Sequence, residues 1–72
     1  MMEINMPKMT STLTEMEEQI YREFVICRMS KTLSEASIPK VVEIIMFLYH
    51  EFTLDVIETS VKRIYLKDFK TD

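Results

Sequence analysis

His50 and Glu51 stand side by side, and Cys27 is the only thiol in the chain. These are the residue types from which metal or acid–base chemistry is built. A catalytic zinc site needs three protein ligands and an open position. The motif H-E-x-x-H would place a second histidine at position 54, which is Leu54. His50 therefore reads as a histidine on a polar helix face. Cys27 lies within "FVICRM", on an apolar stripe where a free cysteine acts as a small hydrophobe. No Gly-rich elbow or phosphate-cradling loop can be drawn, because the chain has no glycine. No catalytic, metal-binding or cofactor-binding residue is assigned, no cofactor is expected, and the expected activity is non-enzymatic.

Composition bounds what remains. The chain has 72 residues, 47% of them hydrophobic, and a net charge of −3. That length is one domain with a modest core. One cysteine excludes an intrachain disulfide framework, so stability must come from tight helical packing or from association. The mild acidity disfavours non-specific attraction to nucleic acid or anionic membrane. No basic-then-apolar leader is read at the start, and no apolar run approaches the ~20 residues of a membrane span. Cytoplasmic residence is the expectation.

The pattern predicts an all-α domain of three helices over about 12–29, 39–52 and 54–69, preceded by an N-terminal arm or short strand over 1–11. Within the arm Met2, Ile4 and Met6 alternate with Glu3 and Asn5 up to Pro7. Thr12 with Glu15, or Thr14 with Glu17, fits a capping box that opens the first helix. Leu13, Met16, Ile20, Phe24 and Cys27 form its apolar stripe, widening to Val25, Ile26 and Met29, where deeper burial is expected. Glu18–Arg22 and Glu58–Lys62 are i,i+4 pairs in the favourable order. Pro39 suits the first turn of the second helix and biases Ile38 away from helical geometry. A single helical turn is expected just before it, in "TLSE".

From Val41 to Tyr49 only Glu43 interrupts the apolar run. Val41, Ile45, Leu48 and Phe52 keep one register, whereas Ile57, Val61 and Ile64 would fall on the other side of a continued helix. A break at Phe52-Thr53-Leu54, with Thr53 or Asp55 as N-cap, removes that conflict and puts Val41 and Ile64 in one core. The second helix is then central, and its apolar arc is too wide for one neighbour. Phe47 projects about 40° from Glu43, on the polar side. A homodimer is expected, with Met46, Phe47 and Tyr49 at the interface.

Glu15, Glu17 and Glu18, with Glu23 and Glu35 further on, form a candidate acidic face for a basic protein partner. The expected function is a small regulatory or inhibitory protein that acts by binding another protein. Its size suits an acidic-faced antagonist of a host nucleic-acid-binding protein, carried by a phage or mobile element. The alternative is a dimeric DNA-binding regulator. Helices 2 and 3 resemble a helix-turn-helix in outline, and "EINMP" followed by two helices resembles a ribbon-helix-helix. Against both, Asp55 and Glu58 lead the outward side of the third helix, and no basic residue sits on the strand to read bases.

Overall fold

Thr12 opens the first helix by a reciprocal cap. The Glu15 amide donates to Thr12 Oγ1 at 3.1 Å, and the Thr12 amide donates to Glu15 Oε1 at 3.2 Å. The structure, a computed structural model, describes residues 12–31 and 33–70. The expected arm over 1–11 lies outside them. The elements are α1 (Leu13–Met29), α2 (Ser37–Leu48) and α3 (Leu54–Ile64), with a π-helical turn, Tyr65–Phe69, continuing α3. All three helices pack pairwise against one another. The predicted all-α, three-helix architecture is the one observed.

The core takes one stripe from each helix. Met16, Ile20 and Phe24 come from α1, and Val41, Val42 and Ile45 from α2. Ile57, Val61 and Ile64 come from α3, and Tyr65 and Phe69 from the π-turn. Val41 and Ile64 thus share one core, as the register argument requires. Thr53 is the N-cap of α3, its Oγ1 accepting from the Val56 amide at 3.3 Å.

Three expectations need correction. Helix 2 spans Ser37–Leu48 rather than 39–52. It starts early because a hydrogen-bonded turn runs straight into it, the Ser37 amide donating to Ser34 O at 2.8 Å. Pro39 then occupies the third helical position, where a backbone N–H would have no intrahelical acceptor and its loss costs no helix bond, and Ile38 is helical despite preceding a proline. The helix ends early because Tyr49 leaves helical geometry, at φ −129° and ψ 58°. Tyr49 and Phe52 still pack against the core from the connector. The C-terminal end of α1 is not more buried: Val25, Ile26 and Met29 are exposed, Met29 at 79%. Two neighbouring helices cover only one side of α1, and these residues lie beyond it. Cys27 is half-buried.

The π-turn closes the bundle. The Lys70 amide reaches back five residues to Tyr65 O at 2.7 Å. This wider turn brings Tyr65 and Phe69 onto one face, and both meet Phe24, with ring centroids 5.6 and 5.2 Å away. Tyr21 meets Phe69 edge-on at 4.8 Å. The Arg28 guanidinium lies 5.3 Å from the Phe69 ring centroid and donates to Phe69 O at 3.4 Å. Arg28 therefore ties the end of α1 to the end of the π-turn.

Candidate interaction surface

The outward side of α2 is built by simple helical spacing. Val41, Val42 and Ile45 face inward, which turns Lys40, Glu43 and Phe47 to solvent. Phe47 is 81% exposed, the most exposed large hydrophobic side chain among the described residues. Met46 and Leu48 on either side of it are partly exposed, at 37% and 47%. Lys40 and Phe47 are seven residues apart and so form one ridge along the helix.

Beside that ridge lies a groove between α2 and α3, open to solvent and about 600 Å³ in volume. Its apolar wall is Ile38, Pro39, Val42 and Met46. Glu43, Glu58 and Lys62 provide its charged groups. Met46 belongs to the groove, whereas Phe47 stands on the ridge next to it. Of the three residues expected at a dimer interface, Met46 and Phe47 are therefore neighbours on one outer face. Tyr49 is drawn away from them, because it caps the C-terminus of α2 and packs inward.

The acidic start of α1 is divided among different tasks. Glu15 is held in the capping box. Glu17 Oε2 accepts from Arg63 Nη2 across to α3. Glu18 is exposed. The three glutamates do not present a uniform acidic field, because Glu17 and Glu18 share a surface depression with Arg63, Lys67 and Asp68. The pairing of Glu17 with Arg63 was beyond sequence reasoning, since it joins residues 46 positions apart.

His50 is exposed in the connector that follows α2, beside Glu51. Among the described residues, no group of three or more His, Cys, Asp or Glu side chains is placed to hold a metal ion. Among those residues, too, no helix is long and apolar enough to cross a membrane. No protein-family model, curated protein or solved structure matches the chain.

Proposed function

We propose that this chain is a small, non-enzymatic regulatory or inhibitory protein of the cytoplasm, and that it acts by seating the outward face of α2 on another protein chain. The observation that carries this reading is Phe47, a phenyl ring 81% exposed in the last turn of α2 and flanked by an apolar groove. Contiguous apolar surface rimmed by charge is the usual mark of a protein-binding face. An aromatic side chain that can be fully desolvated is the commonest kind of anchor in such a face. The acidic start of α1 is the weaker candidate, because a partner there would compete with the α1 cap and with Arg63. The groove also belongs to this reading: its lining combines an apolar wall with charged groups, as a docking cleft does.

The test is capture from cell extract with the full chain as bait, compared with Phe47→Ser. An exposed position tolerates this change with little effect on folding, so the thermal unfolding curve should be unaltered. Partners retained by the natural chain and released by Phe47→Ser support the reading. Identical captures would reject the α2 face. A mobility shift on random duplex that weakens steeply with salt would instead favour the DNA-binding alternative.

A further inference from the structure

We infer that the outward face of α2 pairs with a second copy of this chain, each copy inserting Phe47 into the α2–α3 groove of the other. The inference rests on reading that face as a binding surface, and it commits the face to one occupant. The ridge and the groove lie side by side on the same helix: Lys40 and Phe47 on one side, Pro39, Val42 and Met46 on the other. A two-fold axis running along α2 carries the ridge of each copy onto the groove of its mate. Such an isologous contact closes at two subunits. A foreign partner would need only the knob or only the hole, whereas a second copy satisfies both at once.

Charge agrees with shape. The ridge carries Lys40 two turns before Phe47, and two of the three charged groups around the groove are Glu43 and Glu58. Each ridge therefore brings a cation to a rim with an excess of carboxylates, twice over by symmetry. The contact is small, since it involves one face of a 12-residue helix and part of α3. It falls at the low end of specific interfaces, so the dimer should dissociate in the micromolar range rather than the nanomolar.

The experiment is sedimentation equilibrium on three samples, with folding of each checked by circular dichroism. The natural chain should be in monomer–dimer equilibrium at micromolar concentration. Phe47→Ser removes both knobs and should weaken the dimer about 100-fold or more. Met46→Glu keeps the knob but spoils the groove, and should weaken it comparably; Met46→Gln replaces it if the charge disturbs the helix. The deciding sample is an equal mixture of the two variants. One knob then meets one intact groove, so the mixture should associate more strongly than either variant alone. A natural chain that stays monomeric at millimolar concentration overturns the inference. So does a mixture that behaves as the sum of its parts. Should the natural chain be monomeric while a captured protein still depends on Phe47, the second copy is ruled out and the binding face stands.

Discussion

Lys31 is the described residue whose backbone enters the left-handed region. Its φ of 61° is left-handed, the only positive φ recorded among the described residues. It follows the C-cap Ser30, and its amide donates to Arg28 O at 2.9 Å, the geometry of a helix stop that normally employs glycine. The chain has no glycine to place there, so Lys31 bears the steric cost of the left-handed region. Lys31→Gly should therefore raise stability by about 0.5–1 kcal/mol in urea unfolding, an unusual sign for a substitution to glycine. A loss of stability would contradict this account of the α1 stop. The caps give the opposite sign. Thr53→Ala removes the acceptor of the Val56 amide and should cost about 1 kcal/mol, visible as a lower unfolding midpoint.

The elements show which sequence signals carried structural information and which did not. The break before α3 was legible because two apolar stripes disagreed in phase, and Thr53 offered a cap at the right place. The early end of α2 was not legible. Tyr49 and Phe52 continue the helical spacing, yet they reach the core from an irregular connector. Spacing reports which residues are inside, not which backbone carries them. The exposure of Ile26 and Met29 was missed for a related reason. Periodicity locates a stripe, but the number of neighbouring helices sets how wide a stripe can be covered. The candidate face was half legible: Phe47 was placed on the polar side of α2 by its angle to Glu43, while the groove depends on how α3 packs. The π-turn has no local signature and follows from burying both Tyr65 and Phe69 against Phe24. Phe24 is fully buried at this junction, so Phe24→Ala should cost about 3–5 kcal/mol and leave little folded protein, as heat or urea titration would reveal. The Glu17–Arg63 link joins the same helices at the surface, where Arg63 is 51% exposed. A double-mutant cycle on this pair should return a coupling below about 1 kcal/mol, diminishing with salt. A larger, salt-insensitive value would mean that the α1–α3 pairing depends on charge rather than on the core.

At the scale of the whole molecule, the bundle covers its core and leaves its most apolar helix partly unpartnered. Three helices bury Val41, Val42 and Ile45 completely or nearly so, while Phe47 on the same helix remains in water. Under the proposed function that imbalance has a use: α2 would serve the core with one side and another chain with the other. The most direct test is a dilution series of the natural chain followed by amide chemical shifts, from millimolar to micromolar. Concentration-dependent shifts should gather at Lys40 and Phe47 on the ridge, and at Glu43, Met46, Glu58 and Lys62 around the groove. The core residues and the acidic start of α1 should stay fixed. Shifts centred on Glu15, Glu17 and Glu18, or a spectrum indifferent to concentration, would contradict self-association through the outward face of α2.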